Sequence, residues 1–178
     1  DIGQVMKDIG NFRLETDRLY LRVFVPSDAQ GFYALNADEE VMRYTGDLPF
    51  ESVEEAGRFI QAYDHYQRHG YGRWTVLDKQ TGTYLGFCGL KHHADKKEVD
   101  IGFRLLRQYW GRGLATEAAR ACLDYGFKEQ KMACIVGRAQ SENAASLRVL
   151  QKLGMRYCFD FVEDAQDWKH YELKNPHQ

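Results

Sequence analysis

The segment Gln108, Tyr109, Trp110, Gly111, Arg112, Gly113 constrains this chain more than any other. It joins an apolar stretch that reads as a strand, Val99 to Leu105, to a run with the three-and-four spacing of a helix packed closely on a sheet: Ala115, Ala118, Ala119, Cys122, Leu123, Gly126 and Phe127. Unpaired N–H groups at the start of such a helix, together with its dipole, favour an anion. Glycine at 111 and 113 removes side chains that would keep the anion from those amides, and residues 102 to 113 add Arg104, Arg107 and Arg112 with no acid. The segment therefore suits a phosphate.

Other glycine loops fit less well. A Walker A loop ends in Gly-Lys-Ser/Thr, whereas Gly113 is followed by Leu114 and Ala115. A dinucleotide fingerprint needs a third glycine where this chain has Thr116, and it sits between parallel strands rather than after an apparent meander. A glycine-rich turn without a ligand remains open on this motif alone.

The rest of the chain reads as one domain over residues 1–178, with residues 1–12 a loosely held N-terminal extension. Its 44% hydrophobic and 28% charged residues are an ordinary globular balance, and no linker or repeat divides them. A net charge of −2 gives no field for a nucleic-acid backbone. No run of about 18 apolar residues and no signal-like start occur, so a cytoplasmic protein without a membrane partner is expected. Cys88, Cys122, Cys134 and Cys158 stand apart in apolar contexts and read as buried thiols. Leu19 to Phe24 reads as a strand, with Pro26, Ser27 and Asp28 stopping it and capping a helix. Residues 51 to 69 read as a helix opened by a capping box of Ser52 and Glu55. Trp74 to Leu77, Tyr84 to Leu90 and Val99 to Leu105 read as a meander of three strands. Met132 to Val136 is a strand, Asn143 to Leu153 a helix ending at Gly154, and Met155 to Phe161 and Trp168 to Leu173 are strands. The class is mixed α/β, a sheet with helices on it.

Asp100-Ile101-Gly102-Phe103, the Q-x-x-G-x-G at 108 to 113, Ala115-Thr116-Glu117-Ala118, and Asn143-Ala144-Ala145-Ser146 running to Lys152-Leu153-Gly154-Met155 appear in this order, after Glu15-Thr16-Asp17-Arg18-Leu19 and Glu39-Glu40-Val41-Met42-Arg43-Tyr44. Together they resemble the GNAT superfamily of N-acetyltransferases, and most closely its RimJ/RimL-type branch. The resemblance implies the GNAT fold, a mostly antiparallel twisted sheet of about seven strands, splayed in the middle and flanked by about four helices. It implies acetyl-CoA as cofactor. Gln108, Gly111 and Gly113, with the amides of Tyr109, Trp110 and Arg112 and extended by Ala115 and Thr116, would hold the pyrophosphate. Phe103, Arg104, Leu105 and Leu106 would pair with the pantetheine arm, and Asn143 and Ser146 would reach the thiol end.

The implied reaction is transfer of an acetyl group to a primary amine by direct attack in a ternary complex. A protonated amine has no lone pair, so a proton must leave it. Asp100 is the candidate base, with Glu98 on the same strand face; Ser146 is the candidate proton donor to sulfur, and a backbone N–H near Phe103 suits the oxyanion. Asp100 and Glu98 alternate with Val99 and Ile101, so a plain polar strand face remains open for both. Where some relatives carry a tyrosine acid this chain has Leu150, which leaves Tyr157 as a fallback. His65 with His69 and His92 with His93 lack a suitably spaced third ligand, so no metal is expected and the histidines read as exposed. Residues 38 to 64 hold eight acids against Arg43 and Arg58, which would attract a cationic acceptor or simply form a solvated face. The acceptor stays open between a protein N-terminus and a small amine, the assembly between monomer and homodimer. A non-catalytic acyl-CoA-binding or scaffolding domain is the alternative.

Overall fold

The computed structural model describes residues 2–178. A helix, Ile2–Gly10 (α1), precedes a hairpin of Arg13–Glu15 (β1) and Leu19–Arg22 (β2). The expected loose extension is thus helical, and Phe12 is drawn into the core, where its ring stacks on Trp74 at 4.7 Å. After the 3-10 turn Pro26–Asp28 come helices Ala29–Ala37 (α2), Glu39–Met42 (α3), Val53–Ala62 (α4) and His65–His69 (α5). Strands Arg73–Asp78 (β3), Tyr84–His93 (β4) and Glu98–Leu105 (β5) form the expected meander. Helix Leu114–Lys128 (α6), strand Cys134–Gln140 (β6), helix Ala144–Lys152 (α7) and the hairpin Arg156–Glu163 (β7) and Gln166–Lys174 (β8) complete the chain.

One open sheet runs β1-β2-β3-β4-β5-β6-β8-β7. Every neighbouring pair is antiparallel except β5 and β6. The eight strands are one more than expected, the short β1 making the difference. Seven α-helices lie among the described residues rather than about four, because α1 is added and the α2 to α5 region is cut into shorter pieces than helical periodicity suggests.

Strand alternation sorts the side chains to two cores. Leu85, Cys88, Leu90, Ile101 and Leu105 face α6, whose Ala118, Ala119 and Cys122 are fully buried and let the helix lie close to the sheet. On the opposite face Phe32, Leu35, Val41, Ala56 and Ile60 pack with Phe24 and Phe87. Cys88 and Cys122 are buried as expected; Cys134 and Cys158, near the β7 edge, are only half-buried.

Two local expectations change for tertiary reasons. Helical spacing predicts one helix over 51 to 69, but the chain breaks after Ala62: Tyr63 leaves the helical region with ψ 107, and its hydroxyl accepts the Arg73 amide at 2.8 Å. The start of α4 is as expected, with Ser52 accepting the Glu55 amide. Asp28 makes no side-chain cap on α2 but accepts the Val25 amide at 3.1 Å at the start of the 3-10 turn; its buried carboxylate is also forked by Arg22 at 2.9 Å twice and takes the Thr75 hydroxyl at 2.7 Å.

Tyr66 pins the lead into β3. Its hydroxyl accepts from the Phe24 amide and donates to the Arg73 carbonyl, and burial pushes its own pKa well above the ordinary tyrosine value. Tyr66→Phe keeps the ring and strands two backbone groups, so a loss of about 1–3 kcal/mol is expected from denaturant unfolding. An unchanged midpoint would mean that both groups find water.

Candidate active site

The two halves of the sheet barely pair. β5 and β6 run parallel and pair at a single position, Asp100 with Val136; beyond it the strands part, and residues 101–105 of β5 have β4 on one side and no ladder partner on the other. An unpaired edge of this kind can take an extended ligand by backbone hydrogen bonding. Phe103, Arg104 and Leu105 lie on it, and the Leu105 carbonyl is already taken by the Trp110 indole N–H at 2.8 Å. Leu106 turns back, its amide bonded to Leu85.

At the open end of this gap the chain makes the 3-10 turn Arg107–Tyr109 and enters α6. Gly111 and Gly113 have φ of 74° and 76°, where a side chain would be strained. Gly113 is the N-cap residue, and no side chain caps the helix. Six successive amides, 111–116, have no hydrogen-bond partner among the described residues. Unsatisfied donors at a helix start form an anion site. The expectation for Tyr109 and Trp110 is corrected: their amides close the 3-10 turn on the Leu106 and Arg107 carbonyls, which removes them as donors to a ligand. Ala115 and Thr116 remain within the run of free donors, and Gln108 lies in the turn itself.

The face of β5 away from α6 is polar. Asp100 has one oxygen 2.8 Å from Arg73 Nη1 and the other 2.8 Å from His93 Nε2, with Arg138 of β6 at 3.8 Å. Arg73 Nη1 donates to the Gly89 carbonyl, so its pairing with Asp100 Oδ1 is ionic rather than an aligned hydrogen bond, and that oxygen lacks a geometric donor. A Cβ at Gly102 would come within 2.5 Å of the Arg73 guanidinium; glycine lets the arginine lie against β5. Burial would raise the Asp100 pKa, but Arg73 and His93 outweigh it and hold the carboxyl well below its ordinary value. Such a carboxylate is a poor proton acceptor. Glu98 makes one loose ion pair, 3.6 Å to Arg138. Arg104 on the same face reaches Asn36 and, at 2.8 Å, Asp47.

The loop between α3 and α4 closes over this face. Gly46 lies against the Trp168 ring of β8, where a Cβ would stand 3.4 Å away. The acids of residues 38 to 64 are partly consumed in these contacts: Asp38 caps α3 and pairs with Arg107 at 3.0 Å, Asp47 holds Arg104, and Glu55 accepts the Glu51 amide.

On β6's other flank Asn143 caps α7, accepting the Ser146 amide at 3.2 Å and donating to Ser146 Oγ at 3.0 Å. With its oxygen accepting, the Ser146 hydroxyl proton is free to donate elsewhere. Leu150 is buried core. Tyr157 sits on β7, beyond β6 and β8 from the gap, and donates to Asp160, which removes it as a fallback acid. The histidines are half-buried rather than exposed: the His69 ring lies tilted against His65 and His92 at 4.5 and 4.6 Å, His65 accepts the His92 amide, and burial brings the His65 pKa down to about 4. Among the described residues no group of three metal-ligand side chains is arranged to hold an ion, and no helix is long and apolar enough to cross a membrane.

Sequence reasoning missed Arg73, His93, Arg138 and Trp168, which come to this face from four different strands. No local spacing signals them.

Residues 18–156 match the family model described as an acetyltransferase (GNAT) domain. The chain is 37% identical over 150 residues to the uncharacterized protein YkkB of Bacillus subtilis, spanning 82% of this chain and 86% of that one. It is similar in structure to an acetyltransferase of the GNAT family from Bacillus anthracis, with a TM-score of 0.82, 26% identity and coverage of 92% and 99%. A spermidine N-acetyltransferase from Vibrio cholerae, solved in complex with CoA and spermine, shares the fold at a TM-score of 0.77 with 21% identity over 90% and 97% of the two chains.

Asp100→Asn separates two roles. As the hub of an ion cluster it leaves Arg73 and Arg138 facing an uncharged amide, and breaking such a buried pair costs about 3–5 kcal/mol in urea unfolding. Because its folded pKa is depressed, the Asp100 contribution is complete above the ordinary aspartate pKa of about 3.9 and fades as pH falls through the lower folded value; the variant should lose that acid dependence. A variant as stable as wild type but catalytically impaired would return Asp100 to the role of base.

Proposed function

The chain belongs to the GNAT acetyltransferase family and is an acyltransferase, and on that premise we propose that it transfers an acetyl group from acetyl-CoA to a primary amine by direct attack with both substrates bound. The observation that carries this reading is the junction of an unpaired β5 edge with six free amides at the start of α6.

The residues fit the cofactor's parts. Free N–H groups over 111–116 suit a pyrophosphate, and the exposed Arg112 adds positive charge, while Arg107 nearby is paired with Asp38. The β5 edge at Phe103, Arg104 and Leu105, with Leu106 after it, suits an extended amide-bearing arm. Acetyl-CoA, when bound, supplies an acyl group activated as a thioester.

The remaining work falls to side chains and backbone. A β5 amide near Phe103 faces the oxygen that gains charge, a donor type commonly worth ~10²–10³ in rate. Ser146, oriented by Asn143, would hydrogen-bond the departing sulfur and relay to it a proton that solvent water replaces on the hydroxyl. Asp100 anchors the floor beneath the acceptor by fixing Arg73, and the amine's proton leaves to water along the polar face that Glu98 borders. The Gly46 to Trp168 contact roofs that face and limits the acceptor's bulk.

The acceptor is a protein or peptide N-terminal amine or a small amine. Thiol release with acetyl-CoA across a panel of peptides, polyamines, amino acids and aminoglycosides, with the product identified by mass, tests the proposal; acetylation of no amine would overturn it. Polyamines belong in the panel because a fold neighbour was solved with spermine. On the amine that reacts, Ser146→Ala should lower kcat while CoA affinity stays near wild type. Equal losses in both would make Ser146 a cofactor contact. Replacing Gly113 by a bulky residue should weaken CoA binding strongly at unchanged fold.

A further inference from the structure

The Thr16 and Arg18 segment lies far from the glycine loop in sequence and on the other side of the sheet in strand order, yet the two meet. α6 crosses from β5 and β4 back over β1 and β2. Its Glu117 carboxylate accepts the Thr16 hydroxyl at 2.6 Å, the Arg18 amide at 3.0 Å and Arg18 Nε at 2.7 Å. Thr16 Oγ1 in turn accepts the Leu19 amide, which fixes the turn. Arg18 Nη1 goes on to donate to the Arg112 carbonyl at 3.0 Å, and Nη2 lies 3.6 Å from where a Cβ on Gly113 would stand.

The geometry points to Arg18, held by Glu117, as the positioning residue of the phosphate site, an inference that rests on the reading of 111–116 as that site. A glycine-rich stretch with two residues at positive φ has many conformations open to it. A peptide whose carbonyl is held on one side presents its neighbouring N–H groups on the other. By taking the Arg112 carbonyl, Arg18 sets the loop so that the amides after it converge, and Glu117 fixes the guanidinium in a fork that only a planar, multi-donor side chain fills. Burial would raise the Glu117 pKa, but the bonds from Thr16 and Arg18 lower it, so the clamp stays charged at neutral pH. The arginine side chain is half exposed, and its hydrophobic burial contributes little to the fold.

Calorimetric titration of the whole chain with CoA, alongside backbone amide spectra of the free protein, tests this. Arg18→Gln should weaken CoA binding about tenfold, the scale of losing one or two charge-assisted hydrogen bonds. The melting temperature of the free protein should stay within about 2 °C of wild type. Amide signals of residues 111–116 should move before any ligand is added. Arg18→Lys should fail to restore affinity, and Glu117→Gln should weaken binding less than additively with Arg18→Gln, because the two act as one unit. Wild-type affinity in folded Arg18→Gln, or full rescue by lysine, would overturn the inference. Wild-type protein that does not bind CoA would instead overturn the phosphate-site reading beneath it.

Discussion

A single rung, Asp100 beside Val136, joins five strands to three. Backbone pairing alone is too sparse there to set the angle between the halves. α6 supplies apolar cover from one side, burying Ile101 and Ile135 in a shared core. On the other side Arg73 from β3, His93 from β4 and Arg138 from β6 converge on the Asp100 carboxylate. An ion cluster in this position is directional in a way that packed aliphatic groups are not, and it suits a junction that must part beyond a fixed point. A buried charge tolerates no vacancy among its partners, so the floor of the cleft is tied to three strands where its roof is a loop.

The phosphate site follows from a different economy of donors. Helix starts normally satisfy their first amides by side-chain caps. α4 and α7 do so with Ser52 and Asn143. α6 has glycine at that position and leaves its donors open, while the neighbouring amides of Tyr109 and Trp110 are withdrawn into a turn. The open donors therefore form one contiguous set rather than being spread along the loop.

Much of this was legible from sequence. Alternation in β3, β4 and β5 marks the meander because each strand puts one face in the core beneath α6; the glycine loop is legible because positive φ and close approach demand that residue. What was hidden depends on partners remote in sequence. Asp100 alternates with Val99 and Ile101 like any strand acid, and nothing within β5 reveals the arginines from β3 and β6. The break between α4 and α5 comes from the Tyr63 hydroxyl reaching the Arg73 amide, and α1 is anchored by the Phe12 ring on Trp74. The withdrawal of the Tyr109 and Trp110 amides depends on a turn that Trp110 tightens through its indole, which a motif read as letters does not disclose.

The parted strands also bear on solubility. A strand edge with free peptide groups is ordinarily a template for another chain, and sheets end in charged, short or twisted strands to discourage it. Here β1 is only three residues long, and β7 bears Arg156, Asp160 and Glu163 beside the exposed Tyr157, Phe159 and Val162. The β5 edge needs none of them. It lies between parted strands, with β6 diverging beside it and α6 behind it, so it opens onto a narrow gap rather than onto a flat outer rim. Placing this unpaired edge between two parted strands lets the chain keep a backbone surface for recognition away from the outer rims of the sheet.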